Sequence, residues 1–148
     1  SSRTRVRELM TRALDAYQAA GKVLDAADGV PDLAGVLVLV DQGRDALASA
    51  RALAEGGREV PPVPLCFFNP LHGDATTKVT WRPLGRRERL RVQACRTCAA
   101  KVRDHRAPEI LATRGTPYLE AGDLWAETGY GQLRSDLVQR VLHGAHRR

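Results

Sequence analysis

The chain has 148 residues and a net charge of +6, with 20 Arg against 3 Lys, a single Ile and 3 Cys. That length holds one domain or two small ones with a real core, and an odd number of cysteines cannot close into a disulfide scaffold. No apolar run approaches the roughly 20 residues of a membrane-spanning helix and no leader pattern opens the chain, so this segment is expected neither to contact a membrane itself nor to be exported by its own means.

Residues 3–27 repeat apolar side chains with helical period at Val6, Leu9, Met10, Leu14, Tyr17, Ala20, Leu24 and Ala27. The pattern stops at Asp28-Gly29-Val30-Pro31, a turn. A second helix is expected from Asp32, read as its N-cap, through Leu33, Val36, Leu37, Val40, Leu47, Ala50 and Leu53 to Gly56-Gly57. The run Val36 to Val40 also fits a strand, but Ala-rich flanks favour helix. So short a connection makes the pair an antiparallel helical hairpin, read as packing scaffold, with a dimerising or partner-binding coiled coil as the alternative.

Three prolines among residues 61–64 mark a joint at 58–64, dividing a helical hairpin (1–60) from a second unit (61–148), too briefly for a free linker. Beyond it stand Cys66 and His72, a C-x5-H pair, then Cys95 and Cys98, a C-x2-C pair, which together use every cysteine. Thiolates and imidazole in closely spaced pairs form a complete tetrahedral Cys3His set, so the expected cofactor is structural zinc. A redox dithiol would want a βαβ setting that is missing here. His105, seven residues past Cys98, is the competing fourth ligand.

Between the pairs, Val79 and Trp81 alternate with Lys78, Thr80 and Arg82; Leu90, Val92 and Ala94 alternate again after a turn at Pro83-Leu84-Gly85-Arg86. A β-hairpin is expected, with Phe67, Phe68 and Trp81 packed around the metal and a helix opening at Cys95 that ends before Pro108. Loop with two ligands, hairpin, then helix with two ligands resembles a treble-clef zinc finger over about residues 64–105, except that its first pair is C-x5-H where the usual knuckle is C-x2-C. The fold expected for the whole is α+β: an antiparallel helical hairpin packed on this unit, closed by short C-terminal helices.

Those helices are read at Asp123-Leu124-Trp125-Ala126 and from Ser135 through Val141, with Leu124, Trp125, Leu133, Leu137, Val138, Val141 and Leu142 closing over the core. Thr128-Gly129-Tyr130-Gly131-Gln132 lacks a preceding strand and has Arg134 where a dinucleotide fingerprint needs a third glycine, so it reads as a structural turn packing Tyr130. Charge is uneven: residues 1–60 hold 8 basic and 9 acidic side chains, residues 61–148 hold 15 and 8. Arg82, Arg86, Arg87, Arg89 and Arg91 crowd the hairpin tip, opposed only by Glu88, a grouping that phosphate backbones favour and that solvent also accepts. A second basic cluster, Arg140, His143, His146, Arg147 and Arg148, reads as a frayed tail.

For catalysis, a Cys3His set leaves no open position for water. Treble clefs also carry the HNH nucleases, which need a histidine on the hairpin; here that hairpin carries Lys78, Thr80 and Arg82, leaving only Asp104 and His105 on the helix. Asp74, Glu109, Glu120 and Asp123 are scattered, with no carboxylate pair. The run Leu65 to Gly73 (LCFFNPLHG), with Cys95, Cys98 and Gly129-Tyr130-Gly131, is similar to a segment of uncharacterised actinobacterial proteins, which implies the same composite, often inside a longer membrane-associated polypeptide. The first residue is Ser, so the chain is expected to be a piece of something longer or to have lost a trimmed tag. The expectation is a non-enzymatic, zinc-stabilised domain whose metal fixes Phe67, Asn69 and the Arg-rich hairpin, binding a protein partner in the cytoplasm or on the cytoplasmic part of a membrane-associated protein. Nucleic-acid binding through Arg82 to Arg91 is the alternative, and a nuclease using His105 the third.

Overall fold

Two long helices open the chain in the structure, a computed structural model that describes residues 1–147; Arg148, at the end of the basic tail, lies outside the described residues. Helix α1 spans Ser2–Ala26 and starts where the Ser1 hydroxyl accepts the Thr4 N–H. Helix α2 spans Val30–Ala54 and starts earlier than its sequence suggests. Pro31 lies in its first turn, where no N–H is required, so Gly29 is the N-cap. Asp32 is instead a buried helical residue, accepting the Trp125 indole N–H at 2.8 Å and the Asp28 backbone N–H at 3.2 Å.

The helices pack as an antiparallel hairpin through small residues. Ala13, Ala16, Ala19 and Ala20 are buried on α1, and Ala34, Gly35, Gly43, Ala46 and Ala50 on α2. The Tyr17 ring lies over Gly43, where a Cβ would come within 3.1 Å of it, and a Cβ on Gly35 would overlap the Trp125 ring. Close backbone approach at these small residues shapes the buried face, which also takes in Leu9, Val23, Val38 and Leu39, while other large apolar residues turn away from it. Of the periodic stripe read on α1, Leu9 and Ala20 are buried, whereas Leu14 is 64% and Leu24 55% exposed; Leu33 and Leu37 on α2 are likewise out.

The joint at residues 58–64 is tied along α2. The Ser49 hydroxyl donates to the Val60 carbonyl and accepts the Val60 N–H, and Arg5 forks onto Glu59. Strands β1 (Thr77–Trp81) and β2 (Leu90–Ala94) then form an antiparallel hairpin with Val79 opposite Val92. The chain ahead of them runs along the other edge of β2, where the Phe67 N–H donates to the Gln93 carbonyl at 2.9 Å. Helix α3 (Arg96–Arg103) follows. Phe67, Phe68, Val79, Val92, Ala94 and Ala99 make a small core that includes Cys66 and Cys98, with Trp81 at its side, in keeping with the strand alternation and the aromatic content.

A two-residue strand pair not evident in the sequence, β3 (Ala112–Thr113) and β4 (Thr116–Pro117), turns at Gly115 before α4 (Leu124–Thr128) and α5 (Leu137–Leu142). Leu124, Trp125, Leu137 and Val141 share one core with the helical hairpin, while Leu133 stays at the surface. The two cores meet at Ile110 and Leu119, and the Tyr118 hydroxyl crosses between them to the Phe67 carbonyl at 2.6 Å. Residues 128–132 are a turn: Gly129, Tyr130 and Gly131 all have positive φ, which lets the buried Tyr130 ring stack on Trp125 at 5.3 Å. Among the described residues no helix is long and apolar enough to cross a membrane.

Candidate metal centre

The loop after the joint is shaped by one hydrogen-bonded closure and one cap. The Cys66 N–H donates to the Gly73 carbonyl at 2.8 Å, folding residues 66–73 back on themselves. Within it Asn69 caps a 3₁₀ turn, Pro70–His72, by accepting the Leu71 N–H at 2.9 Å, which aims His72 inward. On the other side Cys95 is the N-cap of α3 and its sulfur accepts the Cys98 N–H at 3.4 Å, so both thiols sit at the helix start.

These pieces bring Cys66, His72, Cys95 and Cys98 together, one donor atom from each, all within 4.8 Å of one another. Nδ1 of His72 is 3.7 Å from the Cys95 sulfur and 3.4 Å from that of Cys98. A tetrahedral ion with ordinary Zn–S and Zn–N bond lengths separates such a pair by about 3.6 Å. The four residues therefore fit a metal ion in both donor type and spacing. No disulfide joins the described cysteines. The opposite nitrogen of His72, Nε2, is 3.4 Å from the Glu109 carboxylate, an outer partner that holds the ring with Nδ1 toward the thiols. Glu109 lies 37 residues from His72, and no sequence spacing could have paired them.

The thiols press on one another. Burial pushes the Cys66 thiol up, against backbone N–H groups that favour its ionised form. Burial, with the charges of Cys66 and Cys95, pushes Cys98 up to about 12. Burial acts upward on Cys95 too, but N–H donors of Cys98 and Thr97 and hydrogen bonds with the other thiols outweigh it and leave Cys95 below the ordinary range. One thiolate is thus favoured and two are resisted, a balance that a divalent cation would tip toward three thiolates.

His105 is outside the cluster: it follows the α3 C-cap, Asp104, with φ of 57° and an exposed side chain. The five arginines do not share one patch. Arg82, Arg86, Arg87 and Arg89 are exposed around the hairpin tip, whereas Arg91 lines a cleft of about 1060 Å³ between the hairpin helices, β2 and residues 130–139. Asp41 and Asp45 lie in the same cleft, and burial, reinforced by Asp45 and Asp74, raises the Asp41 carboxyl to about 6.

Gln132, on which sequence reading placed no role, joins the two halves. Its side chain accepts the Gln93 N–H at 2.7 Å and donates to the Gln93 and Leu65 carbonyls at 2.9 Å, completing the free edge of β2. Neither a protein-family model, nor a curated protein, nor a solved structure matches this chain.

Proposed function

We propose that this is a non-enzymatic interaction domain stabilised by zinc, which Cys66, His72, Cys95 and Cys98 would hold in a treble-clef-like unit, and that it binds a protein partner as part of a longer polypeptide. The metal would supply folding free energy and no chemistry, since three thiolates and one imidazole complete a tetrahedron. The observation that carries the binding reading is the outer face of the helical hairpin, where Leu14, Leu24, Leu33 and Leu37 are each at least 45% exposed while α1 and α2 already have a full core on their other side. Elemental mass spectrometry on protein purified without added metal tests the premise: one zinc per chain with three protected thiols is expected, and metal-free protein with reactive Cys95 and Cys98 would overturn it.

Nucleic-acid binding is the second reading, favoured by the exposed Arg82, Arg86, Arg87 and Arg89, none of which is in an ion pair among the described residues. Against it, Phe67 and Phe68 are fully buried and present no face on which a base could stack. A salt-dependent shift with DNA or RNA, lost in Arg86→Glu/Arg87→Glu, would elevate it. Divalent-dependent cleavage lost in His105→Ala would do the same for a nuclease.

A further inference from the structure

Gly21 is the residue the fold leaves unexplained. It sits inside α1, ahead of its last turn, where glycine costs about 1 kcal/mol relative to alanine, yet a Cβ there would meet nothing within 4 Å. Its φ is not in the left-handed region, so no local conformation demands glycine. A gap kept open on an exposed helix face suits the close approach of something from outside.

The gap belongs to a seam. Met10, Leu14, Tyr17, Gly21 and Leu24 follow one another at spacings of four and three residues, the a/d pattern of a coiled coil, and all five face solvent. Val30, Leu33 and Leu37 continue the same spacing exposed on α2, followed by Val40, which is partly buried against the core. Both seams border one side of the helix contact, where the Tyr17 ring reaches across onto the buried Gly43, one turn past Val40.

The α1 seam is complementary to itself when reversed. Turned end for end about Tyr17, Met10 meets Leu24, and the most exposed knob, Leu14, comes level with Ala20, one residue from the hole at Gly21. Charge agrees: Arg3 and Arg7 flank one end of α1 and Asp25 the other, all exposed and in no ion pair among the described residues. Two helices about 30 Å long and 10 Å apart present on the order of 600 to 800 Å² per copy, which reaches the size of a standard specific interface. The geometry points to a second copy of this chain as the occupant of the outer face, α1 packed antiparallel on α1 and α2 on α2, forming a two-fold symmetric four-helix bundle with Leu14 inserted at Gly21 of its mate. This names the partner for the protein-binding reading above and rests on it.

Sedimentation equilibrium on the whole chain tests the assignment. Dimer is expected at micromolar concentration. Gly21→Trp fills the hole from a Cβ position that meets nothing of the monomer within 4 Å, and Leu14→Glu removes the knob; each should weaken association by about a hundredfold, as each acts twice across a two-fold interface, with helical circular dichroism and zinc content unchanged. Asp25→Arg should weaken the dimer about fivefold and Asp25→Arg/Arg7→Glu should restore it, as an antiparallel arrangement requires. A wild-type chain that stays monomeric at 100 μM, a dimer indifferent to Gly21→Trp, or a charge reversal without restoration would each overturn the assignment. A monomer that still binds an apolar dye through a face abolished by Leu14→Glu would leave the protein-binding reading standing with a different partner. A monomer that binds no dye would end both.

Discussion

The helical hairpin and the metal unit bury their residues in opposite ways. Along α1 and α2 the interior is mostly alanine and glycine around Leu9 and Leu39, and Leu14, Leu24, Leu33 and Leu37 face outward. In the metal unit Phe67, Phe68 and Val92 are sealed around two of the cysteines. The first gains from close backbone approach along 25-residue helices, whose hydrogen bonds are all local. The second is a five-residue strand pair and an eight-residue helix joined by loops, too little core to hold together without a cross-link. One region should thus survive the loss of the metal and the other should not.

The largest effect separates them outright. Cys95→Ser, or chelation, removes a site whose binding free energy in small zinc units is on the order of 10 kcal/mol. Residues 64–106 should unfold while α1 and α2 keep their circular dichroism signal, and an unchanged melting curve would refute a structural metal. The converse lesion is Gly35→Ala. Its methyl would collide with the buried Trp125 ring, a strain of about 3 kcal/mol offset by about 1 kcal/mol of helix propensity. A net loss of about 2 kcal/mol in stability from the denaturant midpoint, with metal content intact, is expected.

Gln132→Ala strikes the join. It strips Gln93 and Leu65 of three hydrogen bonds and should cost somewhat less, about 1.5 kcal/mol; hydrogen exchange should show the Gln93 amide opening faster while the mid-α1 amides do not change. The smallest effect has the opposite sign. Asp41 has its pKa raised to about 6, first by burial and then by Asp45 and Asp74, so the folded chain holds this proton more tightly than the unfolded one. The stability that this provides is full below the ordinary carboxylate range near 3.8 and is lost as pH rises through about 6. Asp41→Asn should therefore stabilise at pH 7.5 by about 1 kcal/mol after discounting for the water that still reaches the group, and the gain should shrink at pH 5.

Much of this was readable from residue order. The four metal-site residues, the strand alternation around Val79 and Val92 and the two helices come from chemistry and period that need no partner to be recognised. Four features were not readable that way. Period placed Leu14 and Leu24 on the same stripe as Leu9, but a stripe has two flanks, and only the close approach of α2 through Gly43 and Ala46 decided which was buried. Asp32 looked like a cap because caps are local; the indole of Trp125, 93 residues away, made it a buried acceptor. Glu109 and Gln132 carry no motif at all, since their partners are brought to them by the fold.

By itself the sequence determined what is local or chemically unmistakable: α+β class, a break between two helices at Asp28-Gly29, and thiols and an imidazole in spaced pairs that suit a tetrahedral metal. Tertiary structure decided which helix faces meet, how the C-terminal turn at Gly129 to Gly131 delivers Tyr130 and Gln132, and which apolar surface is left for a partner. The division has a physical origin: backbone period and donor type act within a few residues, while burial and hydrogen-bond partnership depend on which distant segments exclude water together.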